Sequence, residues 1–478
     1  MCLSGDHAVL LQMVRMVMGT TQSPEGMARV WAELDSRHNL HPFTSHKDLR
    51  QDGVRVITHA DGVYIYDSAG HRMLDGMAGL WCVQVGYGNL ELADAAYEAL
   101  RTLPFYNTFF QTTHPYVAQL CEALAKVTPE GLDNFHFANS GSEANDTAFK
   151  MIRYFWNLQG KPDKKIVLSR ERGYHGVTTA AASLSGIRSM HPQFDLPIPG
   201  IAYVSPAVYQ FEEGRGLSED DFAQLTANAL EEKILALGPD NVAAFVAEPV
   251  MGASGMMTPP AGYWPRINAI CKKYDVLLWA DEVICGFGRS GQWFGSHTYG
   301  IEPDIITMAK GMSSGYQPIS AVALNARLND AIVNAPSEMA HGFTWSGHPV
   351  ASAVCVKNLE IMHRLELVGP VGDRNAAALQ AQLVTLADHP LVGEVRGVGF
   401  LGAIELVKNK ETGERFSGAS GAGVVCRNHA ISNGVMIRAC GDTMVMSPPL
   451  VITPEQSTEL IDAVRRALDA TLDALKAD

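Results

Sequence analysis

A chain of 478 residues with 47% hydrophobic and 18% charged residues has the composition of a folded protein rather than a disordered one, with enough length for a large α/β domain and smaller pieces. Its formal net charge of −14, without any dense run of lysine or arginine, argues against a nucleic-acid partner. Eight cysteines (Cys2, Cys82, Cys121, Cys271, Cys285, Cys355, Cys426 and Cys440) are scattered without a CxxC pair, which suits reduced thiols in a cytoplasmic protein better than a disulfide framework or a zinc site.

In chain order, the first apolar stretch is residues 8–18, AVLLQMVRMVM, which is too short to span a bilayer and is interrupted by Arg15. It lacks the basic start of a secretory leader. Residues 1–26 therefore read as an exposed extension, or as residues ahead of a start at Met13, Met16, Met18 or Met27, and no membrane partner is expected. Residues 54–76 alternate apolar and polar positions around Asp61-Gly62, the pattern of a β-hairpin, within a small N-terminal unit at 27–89. From Leu90 onward, helical stretches at 91–100 and 116–126 alternate with apolar runs at 135–137, 165–168, 242–247, 276–280 and 305–308. Strands separated by helices predict a parallel α/β sheet, assigned to a large domain at 90–326. Beyond Ala326 a long helical stretch leads to one strand at 395–406 and ends in an amphipathic helix at 455–475. Residues 327–478 thus join the N-terminal unit in a smaller domain built from both chain ends.

Three segments carry chemistry. FHFANSGSEANDTAFKMIRYFW, residues 135–156, reads as strand, Gly/Ser turn and helix; its backbone donors, with Ser142 as the cap, suit a phosphate group, although ordinary capped helices share the pattern. VLLWADEV, residues 276–283, is a buried run ending in Asp281. A cationic heterocycle could pair with Asp281 while Val283, two residues on and on the same face, packs against its plane; equally, an isolated Asp there could simply cap the next turn. PDIITMAKG, residues 303–311, ends an apolar strand in Lys310. Burying a lysine is costly unless it is paired or used chemically, as in Schiff-base formation, or unless only its stem is buried.

The order of these segments, with Tyr174-His175-Gly176 and Ala247-Glu248-Pro249 between them, resembles the class III aminotransferases, a branch of the fold-type I pyridoxal-phosphate enzymes. The resemblance runs from about Trp31 onward. It is closest to the pyruvate-dependent ω-aminotransferases, through GLWCVQVGYG (79–88), LPFYNTFF (103–110), DEVICGFGR (281–289), HGFTWSGHP (341–349) and MIRACGD (436–442). It implies an α/β fold-type I transferase with a large, mostly parallel-sheet domain and a smaller α+β domain. It also implies pyridoxal 5′-phosphate as cofactor, linked to Lys310, with Asp281 keeping the ring nitrogen protonated and Gly141 and Ser142 holding the phosphate. Tyr174 would stack on the ring opposite Val283, and Glu248 would support Asp281 or the cofactor hydroxyl. Thr344 would reach a phosphate in the neighbouring subunit, which implies a homodimer with shared sites or a higher oligomer.

For substrates, the resemblance implies that Arg438 clamps the carboxylate of a keto acid, pyruvate being expected, and swings away for an amine donor. Trp81 and Phe109 would line the entrance, Phe109 from across the dimer. The donor stays open among diamines, taurine, β-alanine and other amines. Within the family an aminomutase or a decarboxylating transaminase is the alternative, and a noncatalytic cofactor-binding protein is another. Gly286, Gly288 and Gly291 fit GxGxxG, but the following QWFGSHTYG is a poor helix for a dinucleotide site. Cys82, Cys285, His38, His41 and His46 have no metal-ligand spacing, and no metal is expected.

Overall fold

The computed structural model describes residues 24–206, 216–416 and 421–477; the apolar stretch at 8–18 lies outside them. Its centre is a seven-stranded sheet in the order β4-β10-β9-β8-β7-β5-β6. The strands are β4 (Leu132–Ala138), β5 (Ile166–Arg170), β6 (Ile201–Val204), β7 (Val242–Ala247), β8 (Leu277–Asp281), β9 (Ile305–Met308) and β10 (Ser320–Asn325). Only β10 runs antiparallel to its two neighbours, β4 and β9; the remaining pairs are parallel.

Both faces of this sheet are covered, which is why its strands read as unbroken apolar runs. Along β7, Ala244 and Val246 pack with Phe149, Ile152 and Phe155 of the helix Gly141–Leu158. The alternate residues Phe245 and Ala247 pack with Leu230 and Ile234 of Glu219–Leu237 and with Trp264 and Ile267 of Tyr263–Lys273. The parallel strands, β4 included, place their carboxyl ends along one edge, where α/β sheets bind ligands.

Two smaller sheets flank it. The hairpin expected at Asp61-Gly62 is β1 (Ile57–Asp61) with β2 (Tyr64–Asp67), extended by β3 (Arg72–Asp75) and, in parallel with β3, by β13 (Val435–Met436). Thus the two chain ends share a sheet. The single strand expected at 395–406 is instead a hairpin, β11 (Val392–Val398) and β12 (Leu401–Leu406), continued by β15 (Thr443–Met446) and β14 (Arg438–Cys440). The chain reverses at Gly399, whose φ of +57° favours glycine. A Cβ there would lie 2.5 Å from the Gly291 nitrogen. The C-terminal helix spans Pro454–Ala477. Among the described residues, no helix is long and apolar enough to cross a membrane.

Candidate active site

The functional side chains expected from sequence converge on that sheet edge. Gly141 follows β4, Tyr174 follows β5, Glu248 follows β7, Asp281 ends β8 and Lys310 stands two residues beyond β9. Together with Ser142, His175, Val283 and Asn145 they line a cavity of about 380 Å³.

At one end of the cavity, the helix Gly141–Leu158 begins with Ser140 as its cap: the Ser140 hydroxyl accepts the Glu143 N–H at 3.2 Å. Ser142 is therefore not the cap expected. It lies inside the first turn, and its hydroxyl accepts the Val177 N–H at 3.1 Å. The spacing Ser140-x-x-Glu143 is the signal that distinguishes the two serines. The first-turn N–H groups of Gly141 and Ser142 have no intrahelical partner, which makes this end a seat for an anion. The seat tolerates little added bulk: a Cβ at Gly141 would lie 2.9 Å from Val283 Cγ1, and one at Gly176 would lie 2.4 Å from Ser142 Oγ.

At the centre, Asp281 Oδ2 accepts from Asn145 Nδ2 at 2.8 Å and from His175 Nδ1 at 2.7 Å, while Oδ1 accepts the Val283 N–H at 3.1 Å. The carboxylate is acceptor-only when ionised, so it fixes the proton of His175 on Nδ1. Asn145 also donates to the His175 carbonyl at 2.5 Å. The sequence alone assigns a role to neither Asn145 nor His175. Asn145 lies one helical turn beyond Gly141 and so shares its face, and His175 adjoins Tyr174 in a quoted motif. Asn145 Oδ1 and His175 Nε2 are buried without a partner.

Glu248 is buried and accepts the Tyr174 N–H at 2.9 Å and the Gly252 N–H at 3.0 Å. It supports Asp281 through no hydrogen bond, and burial pushes its carboxyl above the usual range. Burial similarly raises the Tyr174 hydroxyl, with the charge of Arg438 opposing the shift.

Lys310 opens a short 3-10 turn, Lys310–Ser313, with φ of +49°, a conformation rare for a non-glycine residue and one that clusters at functional sites. Its half-buried side chain borders the cavity, and desolvation lowers the pKa of the amine, opposed by Cys82, Asp281 and Glu248. A depressed pKa enlarges the neutral, nucleophilic fraction.

Next to it, the Lys310 Nζ lies 5.9 Å from the centre of the Trp81 ring, and the Arg438 guanidinium carbon lies 5.1 Å from the same centre. Trp81 is mounted rigidly. It is buried at φ +60°, in a turn held by Asp75, which accepts the Met77 and Gly79 N–H groups at 2.9 and 2.6 Å and the Tyr87 hydroxyl at 2.6 Å.

Two expected residues stand apart from this cavity. Phe109 packs on the HGFTWSGHP loop, where a Cβ at Gly342 would lie 3.1 Å from its ring. Thr344 and its neighbour Trp345 are exposed on that loop. The GxGxxG segment at 286–291 forms turns, and the next helix is only Gly295–Tyr299, too short for a dinucleotide fold's phosphate helix.

The cavity thus combines an anion seat, a carboxylate fixed by two donors, a hydrophobic side chain beside it and a lysine of depressed pKa. These features fit pyridoxal phosphate: a phosphate, a ring nitrogen that can be protonated, a planar ring and an aldehyde. The family model described as aminotransferase class-III matches residues 48–468. The chain is 50% identical to a putrescine–pyruvate aminotransferase of Pseudomonas aeruginosa over 96% of this chain and 100% of that protein. It is 41% identical to the mitochondrial gamma-aminobutyrate transaminase 1 of Solanum lycopersicum over 90% of this chain and 84% of that protein. Among solved structures, the omega transaminase of Pseudomonas jessenii in complex with PMP superimposes with a TM-score of 0.91 at 41% identity, covering 93% of this chain and 99% of that one.

Proposed function

The chain belongs to the class-III aminotransferases, a pyridoxal-phosphate-dependent transaminase family, and from that premise we propose that it moves the amino group of an ω-amine, a putrescine-like diamine first among candidates, to pyruvate. The observation that carries this choice of substrates is 50% identity with a putrescine–pyruvate aminotransferase along that protein's full length. The guanidinium of Arg438 beside Trp81 supports it.

When bound, the cofactor supplies an aldehyde that takes up the amino group and a protonated ring that accepts the electron pair. Lys310 anchors it covalently. Its Nζ, when free, would take a proton from the substrate carbon as general base and deliver it to the cofactor as general acid within the same half-reaction. Asp281, held by Asn145 and His175, keeps a proton on the ring nitrogen by placing a negative charge beside it. The N–H groups of Gly141 and Ser142 would hold the phosphate, Val283 and Tyr174 would pack against the ring, and Glu248 fixes the Tyr174 backbone. Arg438 binds the keto-acid carboxylate through paired, charge-assisted hydrogen bonds. Trp81 borders the substrate's path, and Phe109, apart from this chain's own cavity, would do so across the dimer.

Thr344 acts on the phosphate of a partner subunit, so the working unit is a homodimer with shared sites. Support comes from the exposed aromatics around that loop: Phe105 at 41% exposure, Tyr106 at 49%, Phe110 at 90% and Trp345 at 59%, a patch of the kind that marks a protein interface. The cysteines among the described residues are free, which supports a cytoplasmic setting.

Borohydride reduction of the holoenzyme followed by peptide mass mapping tests the anchor. The cofactor should be found on the peptide containing Lys310, and attachment to any other lysine would refute the assignment.

A further inference from the structure

Arg438 and Cys440 are the first and last residues of β14, paired with Val445 and Thr443 of β15. Residues two apart in a strand point to one face. On that face Cys440 packs against the cluster that contains Trp81, Val250 and Val445, which sets its thiol near the Arg438 guanidinium. The guanidinium itself lies 5.1 Å from the Trp81 ring centre. No ion pair among the described residues involves Arg438. Its cation thus lies against a π face with a thiol nearby, and burial raises the thiol's pKa so that it stays neutral.

From this arrangement we propose that Cys440, together with the Trp81 ring, forms a resting seat for Arg438 and so sets how readily the guanidinium is released to a substrate carboxylate. The inference rests on the reading of Arg438 as the carboxylate clamp. A seat of neutral groups holds the cation weakly enough for an anion to displace it, because a carboxylate offers two charge-assisted hydrogen bonds in a plane matching the guanidinium. The fraction of molecules with Arg438 seated lowers the apparent affinity for carboxylates by the same fraction. Cys440 is therefore a specificity-determining residue, acting through Arg438 and not on the reacting atoms.

Calorimetric titration of the holoenzyme with propionate, a carboxylate carrying neither amine nor ketone, tests the seat without turnover. Cys440→Ala should bind propionate about three- to tenfold more tightly than wild type, and Cys440→Ser, which restores an acceptor, should lie close to wild type. The KM for pyruvate should fall in Cys440→Ala by a similar factor with kcat unchanged. Cys440→Ala binding propionate as wild type does, or more weakly, would overturn the seat. Arg438→Ala separates the two ideas: it should lose propionate binding, and wild-type binding in that variant would instead overturn the clamp on which the seat depends.

Discussion

Replacing Asp281 by Asn removes one charge and part of an acceptor set while leaving the side chain's volume almost unchanged. Asp281 presents two oxygens to three donors, at 2.7 and 2.8 Å on Oδ2 and 3.1 Å on Oδ1. An amide has a single oxygen. With that oxygen in the Oδ2 position, the new NH2 group faces the Val283 N–H; with it reversed, the NH2 group faces both Asn145 and His175. Either orientation sets buried donor against donor, at a cost of about 1–3 kcal/mol. The lost anion lowers the pKa of the bound cofactor's ring nitrogen by about one to three units, or ~1.4–4 kcal/mol. Amine turnover should then slow by roughly 10- to 1000-fold, while the melting temperature of the cofactor-free protein falls only by what the donor clash costs. Single-turnover absorbance with putrescine measures the first effect and thermal unfolding of the apoprotein the second. An Asn variant that transfers the amino group at the wild-type rate would refute the pairing of Asp281 with the ring nitrogen.

Thr344→Ala should raise the cofactor dissociation constant roughly 10- to 100-fold, the worth of one hydrogen bond to a charged group, as measured by equilibrium dialysis; unchanged retention would remove Thr344 from the phosphate site. Gly176→Ala should also loosen the cofactor, because its Cβ would stand 2.4 Å from Ser142 Oγ, and wild-type affinity would show that Ser142 can shift without consequence. Burial pushes the Glu282 carboxyl from 4.5 up to about 7, so the folded chain keeps a proton that the unfolded chain releases between those values. Stability should therefore decline as pH rises from 4.5 to about 7, by on the order of 3 kcal/mol from this group. Glu282→Gln should flatten that part of the melting-temperature curve, and an unaltered slope would assign it to other groups.

Strand β7 and strand β9 were legible to the residue because each is an apolar run bounded by polar residues and buried on both faces. The hairpin β11–β12 was not, because RGVGF keeps its apolar character through a turn that depends on Gly399 lying against Gly291. Strand β10 was missed for a different reason: SAVALN is short, and its antiparallel place between β4 and β9 is a property of topology. In the candidate site, Lys310 and Asp281 were visible because Asp281 ends an apolar strand and Lys310 follows one by two residues, where a charged residue stands out. His175 and Asn145 were not, since their roles come from contacts with Asp281 across 106 and 136 residues of chain. Ser140 caps the helix in place of the expected Ser142, and the glutamate three residues after Ser140 is the local signal for it.

Supplying the holoenzyme with putrescine and pyruvate and counting products tests the central claim most directly. One alanine should form for each amine consumed over many turnovers, and Lys310→Ala should form none beyond the cofactor's own equivalent. Amine consumed without alanine, or sustained alanine formation by Lys310→Ala, would contradict it.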